Sequence, residues 1–304
     1  MWVVFALIAT VLMSLLPIYN KRLLHDTLPA LVAWVMNGAS IPLLAGGMLL
    51  LTQCSLQDYP HTTLSCMLHL PQIDPMFVAA LLGAAAFNWG ATLLSTHALD
   101  RADASLVIPL LSFNPAFTVL VAWIVLGETP GLREGLGIVV ILLGLYLLEV
   151  QDARTGLLAP LFILGSRSGA LMAILASGLW GTTTVLEKLA IEHVTPPNGP
   201  LVALISTALT VLLLTPNAIF ALSRSSRAAS PEAGVTLGQK KGIRTFLVVV
   251  SIAGIAPLFG STAIALGYVG YVTALFKLSA VLRLCGHGCC LAKDIFENGC
   301  LAQA

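Results

Sequence analysis

Few side chains in this chain can carry charge or a strong hydrogen bond inside an apolar run, so those few define its chemistry. Lys277 lies in the middle of such a run. A charge at that depth costs at least about 2.5–3.5 kcal/mol on insertion scales. It is therefore expected to face a bundle interior or a wet cavity, either lining it or pairing with an acidic or carbonyl partner. Lys21 and Lys188 each end an apolar run. They can draw an anionic group to the mouth of a pathway, or snorkel to the interface and anchor their helices. Glu187 and Glu192 flank Lys188, and Glu187 can neutralise it locally or face water. Glu128 closes the run ending Leu126-Gly127-Glu128 and is followed by Thr129-Pro130-Gly131. An acidic group there can couple proton movement or simply belong to a turn.

Uncharged polar groups form a second set. Asn88, Trp89, His97 and Asn114 fall on two consecutive apolar runs, and Trp180, Thr182, Thr183 and Thr184 on a later one. Such amides, indoles and hydroxyls can bind the polar groups of a small solute, or join helices at about 0.6 kcal/mol per bond. His97 can titrate near neutrality, but solvation at a run's end also explains it. Cys285, His287, Cys289 and Cys290 offer thiolate and imidazole, yet their C-x-H-x-C-C spacing fits no standard zinc site. No metal or cofactor is expected. A phosphate-binding loop, an H-E-x-x-H motif and a nucleophile triad are all missing, so an enzyme is not expected. A membrane-embedded enzyme is the less favoured alternative.

The elements that must position these residues follow from composition. The 304 residues are 58% hydrophobic and 10% charged, with a mean hydropathy of +0.94. A soluble domain carries about 25% charged residues, so this chain cannot cover a water-facing surface. The formal net charge of +1 gives no case for nucleic acid. Apolar runs bounded by charge, Pro or Gly predict nine helical spans, near 2–20, 28–51, 75–97, 104–126, 132–149, 168–187, 200–222, 245–266 and 268–284. Each approaches the ~20 residues that a hydrocarbon core requires. The fourth, with Pro109 and Pro115, reads as a proline-bent helix lining a pathway. The first lacks a basic leading region and reads as a retained span rather than a signal peptide. Loop cysteines Cys54 and Cys66 can pair in an oxidising compartment or remain thiols. The segment 223–244 is a long basic connection.

The chain repeats itself. A shift of 167 positions lays Ala9 on Ala176, Leu12 on Leu179, Lys21 on Lys188, Ala98-Leu99 on Ala265-Leu266 and Leu111-Ser112 on Leu278-Ser279. A shift of 170 lays Leu31-Val32-Ala33 on Leu201-Val202-Ala203. An odd number of spans per copy inserts the second copy upside down, a plan common in transporters.

Several of these features together resemble the EamA type of the drug/metabolite transporter superfamily. They are the Trp2–Lys21 run echoed by Leu179-Trp180 through Lys188, and the series Ala98-Leu99, Ala104-Ser105, Pro109-Leu110, Pro115, Thr118, Leu126-Gly127-Glu128. Gly135 through Gly144 and Ala265-Leu266, Leu275, Lys277-Leu278-Ser279 complete them. The resemblance implies an all-α polytopic membrane protein of two inverted five-helix repeats, working as a secondary transporter of small polar metabolites by alternating access. The expected units are a first repeat at 1–150, a linker at 151–167 and a second repeat at 168–304 with about four spans, lacking its last helix. That shortfall keeps a non-transporting remnant or assembly partner as the alternative. The expected pathway residues are Lys21, Asn88, Trp89, Asn114, Trp180, Thr183, Lys188 and Lys277, with Glu128 as a coupling candidate. Expected partners are a small-molecule substrate, the lipid bilayer of the cell membrane and, at most, a second copy of the chain. Ten Lys and Arg on the loops after spans one, three, five and seven put the N-terminus outside, whereas the resemblance implies the reverse.

Overall fold

The computed structural model describes residues 1–23, 29–54, 72–102, 107, 110–129, 131, 135–140, 143–144, 168–195, 197–227 and 240–279. The chain builds an all-α membrane bundle. Its helices are α1 (Trp2–Leu23), α2 (Pro29–Cys54), α3 (Pro75–Arg101), α4 (Asn114–Val125), α5 (Ser168–Glu192), α6 (Gly199–Arg227), α7 (Lys240–Leu266) and α8 (Val269–Ser279). Residues 135–140 are also helical. Among the described residues, Pro75–Leu99, Ser168–Glu192, Gly199–Phe220 and Leu247–Leu266 are long and apolar enough to cross a membrane. Large apolar side chains such as Ile124, Leu212, Phe220 and Trp123 point outward, while alanines fill the interior. That arrangement suits hydrocarbon, where close helix approach through small residues replaces the hydrophobic drive of water.

The most extensive seam joins α3 to α5. Ala84, Ala91 and Ala98 on one side and Ala170, Ala173 and Ala176 on the other are buried. The α1–α7 seam comes next, where Phe5 stacks on Phe259 with ring centroids 6.1 Å apart. Helix α2 packs on both α6 and α7, α6 on α3, and α4 on α5. Helix α1 also meets α8, where the Thr10 hydroxyl donates to the Leu275 carbonyl at 3.2 Å. Two-residue strands β1 (Gln72–Ile73) and β2 (Val194–Thr195) pair antiparallel, Gln72 opposite Thr195 and Ile73 opposite Val194. This ribbon ties the start of α3 to the end of α5, so the two helices run antiparallel.

The fourth predicted span differs from expectation. It is not one bent helix over 104–126. A turn at Ser112–Phe113 interrupts it, and α4 begins anew at Asn114. Pro115 therefore sits in the first helical turn, where its missing N–H is not needed. Pro109 lies outside the described residues. At the far end Gly127 takes φ +67°, a left-handed conformation that only glycine adopts without strain, and α4 stops there. The 223–244 connection is also shorter than expected. Helix α6 runs on to Arg227 and α7 starts at Lys240, because polar turns extend a span past its apolar window at no cost in hydration. Residues 151–167, Cys66 and the cysteine–histidine cluster from Cys285 lie outside the described residues.

Candidate functional site

Three uncharged polar side chains meet where α3, α5 and α6 converge. The Trp180 indole N–H donates to Asn88 Oδ1 at 3.1 Å, and Asn88 Nδ2 donates to the Thr210 hydroxyl at 3.2 Å. The donor-only indole fixes which end of the amide is oxygen. Asn88, Trp180 and Thr210 each lie at or beside the middle of their spans, Pro75–Leu99, Ser168–Glu192 and Gly199–Phe220. The triad therefore stands at the middle of three apolar spans, far from either end of each. Beside it, the buried indole N–H of Trp89 has no hydrogen-bond partner among the described residues, and neither does the Ser177 hydroxyl on α5.

The remaining candidates fall in distinct places. Asn114 is half-buried at the start of α4, and its backbone carbonyl accepts from the Thr118 hydroxyl at 3.0 Å. That turn lies directly against α5. A Cβ at Gly181 would stand 2.9 Å from the Thr118 nitrogen and 3.1 Å from the Asn114 oxygen, so only glycine permits the approach. Thr183 is buried, but its hydroxyl donates to Leu179 in its own helix, as Thr182 does to Gly178 and Thr184 to Trp180. A threonine in a helix has its own carbonyl four residues back within reach, which the spacing of three threonines does not reveal. Lys277 is half-buried in α8. Lys21 belongs to α1, with its side chain outside the described residues.

Lys188 does not snorkel. It is buried and donates to the Ile264 carbonyl at 2.8 Å and the Gly267 carbonyl at 3.0 Å. The last carbonyls of a helix lack intrahelical partners, so a cation at the end of α7 satisfies them and complements its dipole. Glu192 stands 4.0 Å from the ammonium. Glu128 works at the other side of the same joint: its Oε2 accepts from the Val269 N–H, the first of α8, at 2.9 Å. Burial pushes the Glu128 carboxyl above its ordinary range, against the opposing pull of that hydrogen bond and of Lys188. A small cleft lined by Val119, Ala122, Tyr268, Gly270 and Tyr271 opens beside it. Glu128 thus serves the α4 turn and the α8 N-terminus together.

Two participants escape sequence reading. Thr210 looks like one more hydroxyl in an apolar run until α6 lies on α3. Glu187 does not pair with Lys188; it turns into the α5–α6 seam, where Oε1 accepts from the Ser206 hydroxyl at 2.6 Å. Adjacent helical residues point about 100° apart, which is why neighbours in sequence serve different seams. Among the described residues, no three His, Cys, Asp or Glu side chains converge as a metal site would require.

Residues 1–150 match the EamA-like transporter family. A stretch of 61 residues is 41% identical to an uncharacterized protein of Methanocaldococcus jannaschii, covering 20% of this chain and 44% of that protein. The chain thus spans less than half the length of that relative. The apolar helices agree with that match, and residues 1–150, just under half of the chain, belong to the EamA-like transporter family.

Proposed function

We propose that this chain is a secondary transporter of the cell membrane that moves small polar metabolites by alternating access between two inverted repeats. The repeats are 1–150 and 168–304, joined by 151–167. The carrying observation is the Asn88–Trp180–Thr210 triad at mid-membrane, formed by one helix of the first repeat and two of the second. Repeat-built transporters hold their solute at that depth, at the interface of the halves. The packing supports the same symmetry. Exchanging the halves swaps α1 with α5, α2 with α6 and α3 with α7. The α3–α5 seam then becomes the α1–α7 seam, α2–α7 becomes α3–α6, and α2–α6 maps onto itself.

In this reading Asn88, Trp89 and Trp180 present one amide and two indoles to the hydroxyl, amide or zwitterionic groups of a solute. Asn114 and Thr183 flank them on α4 and α5. The alanine-lined α3–α5 seam lets the halves rock without parting large side chains. Lys188 and Glu128 hold the α7–α8 joint, and Lys21 and Lys277 complete the charged positions of the pathway. The test is a metabolite-wide exchange screen in proteoliposomes, with Asn88→Leu and Trp180→Phe beside the unaltered chain. Solute exchange that weakens in both variants fits the reading. Exchange indifferent to both would remove the triad from the pathway, and no exchange of any solute would remove transport.

A further inference from the structure

We propose that Glu187 is a proton-binding site within the membrane, taking up and releasing a proton in step with solute movement at mid-membrane; the coupling rests on the transport reading above. Glu187 lies five residues before the end of the α5 span, about 7 Å of helix inside it. Its Oε1 accepts from the Ser206 hydroxyl at 2.6 Å, and Ser206 is itself buried on α6. Ionisable groups at such depth are costly and are retained where protons or ions move.

Among the described residues, no cation compensates this carboxyl. Lys188, next to it, is turned to the carbonyls of Ile264, in the last turn of α7, and Gly267, just beyond it, and towards Glu192. Glu192 and His193 sit at the end of α5, the latter bonded to the Leu189 carbonyl. The helices packed on α5 bring no titratable side chain to this level: none occurs in α3 from Met76 to Thr96, in α4 itself, in α6 from Pro200 to Phe220, or in α7 from Leu247 to Leu266. Glu128, beyond α4, is held by the Val269 N–H. A hydroxyl serves both protonation states, since it donates to a carboxylate and accepts from a carboxylic acid.

Position links this site to the solute site. Glu187 follows Trp180 by seven residues, two turns along the same face of α5, and Ser206 precedes Thr210 by four, one turn along the same face of α6. The Glu187–Ser206 and Trp180–Thr210 levels therefore stack along one seam, about 10 Å apart along α5 and about 6 Å along α6. A rocking motion that opens the seam to one compartment reaches both. There the carboxylate takes a proton from hydronium: one O–H bond forms on the carboxyl as one breaks in the donor, which leaves as water. After reorientation that bond breaks and the proton passes to water on the other side.

The test uses the full chain in lipid and the proton itself as probe. Infrared spectra recorded from acidic to alkaline pH should contain a protonated-carboxyl band that titrates, is lost in Glu187→Gln and moves its midpoint in Ser206→Ala. A parallel exchange assay uses any solute that moves in the proteoliposome screen. There, Glu187→Gln should keep exchange but lose its response to an imposed pH gradient. A carboxyl band unchanged by Glu187→Gln, or one that never titrates, overturns the proton site. If Glu187→Gln does not fold, an unmoved midpoint in Ser206→Ala does the same. A titrating band with no solute exchange would remove the transport reading while leaving the proton site standing. Exchange whose pH response survives Glu187→Gln overturns the coupling.

Discussion

Replacing Asn88 by leucine tests the triad quantitatively. The substitution keeps the number of side-chain heavy atoms and the branch at Cγ and removes both interhelical bonds, to Trp180 and to Thr210. At about 0.6 kcal/mol each in a bilayer, the two bonds total about 1.2 kcal/mol. The partners then diverge. Thr210 can turn its hydroxyl to a carbonyl one turn back in α6, as Thr215 already does to Val211. The Trp180 indole N–H has no such recourse, and a stranded buried donor adds about 1–3 kcal/mol. Asn88→Leu should therefore cost about 2–4 kcal/mol, and Thr210→Val, which breaks one bond and leaves Asn88 its bond to Trp180, should cost less. Trp180→Phe removes the stranded donor, so the Asn88→Leu/Trp180→Phe pair should cost less than the sum of the two single changes. Reversible unfolding in bicelles by added denaturing detergent, followed by circular dichroism, measures all four. A double variant as costly as the sum of its singles refutes the argument, as does an Asn88→Leu change no larger than Thr210→Val.

Three further outcomes follow from the packing and the caps. Gly181→Val places a Cβ within 2.9 Å of the α4 backbone, which must give way; the cost should be about 1–3 kcal/mol in the same unfolding assay. Lys188→Met strands the Ile264 and Gly267 carbonyls at the end of α7; the loss should be at least about 2 kcal/mol, given that hydrogen bonds to charged groups contribute about 1.5–3 kcal/mol each. Glu128→Gln keeps an acceptor for the Val269 N–H and removes a carboxyl whose folded-state range burial has raised. A group raised on folding stabilises the fold below its unfolded value, and that share is lost as pH rises through the folded one. The unaltered chain should lose stability across that window and the Gln variant should not, as pH-resolved unfolding will read; equal pH profiles would contradict the assignment.

Much of this architecture was legible in the chain. Spans showed as apolar runs because the bilayer demands about 20 such residues and punishes charge. Helix α5 was foreseen at 168–187 and α7 at 245–266, each to within several residues at its ends. The break before α4 was not foreseen, because a proline within a run reads equally as a kink or as the start of a new helix. Asn88 and Trp180 read as polar residues at depth, but nothing in their separation of 92 positions announces that they bond to each other and to Thr210.

The charged residues mark the same boundary. Residue type marks Lys188, Glu187 and Glu128 as costly to bury, but the sequence leaves each an exposed alternative: snorkelling for Lys188, water for Glu187 and a turn for Glu128. Which partners they have was decided by the packing: α7 brings carbonyls to Lys188, α6 brings a hydroxyl to Glu187, and α8 brings an amide to Glu128. Local sequence sets the cost of a buried polar group through its own chemistry. Satisfying it depends on groups distant in the chain, whose angle and level around each helix exist only once the helices have packed.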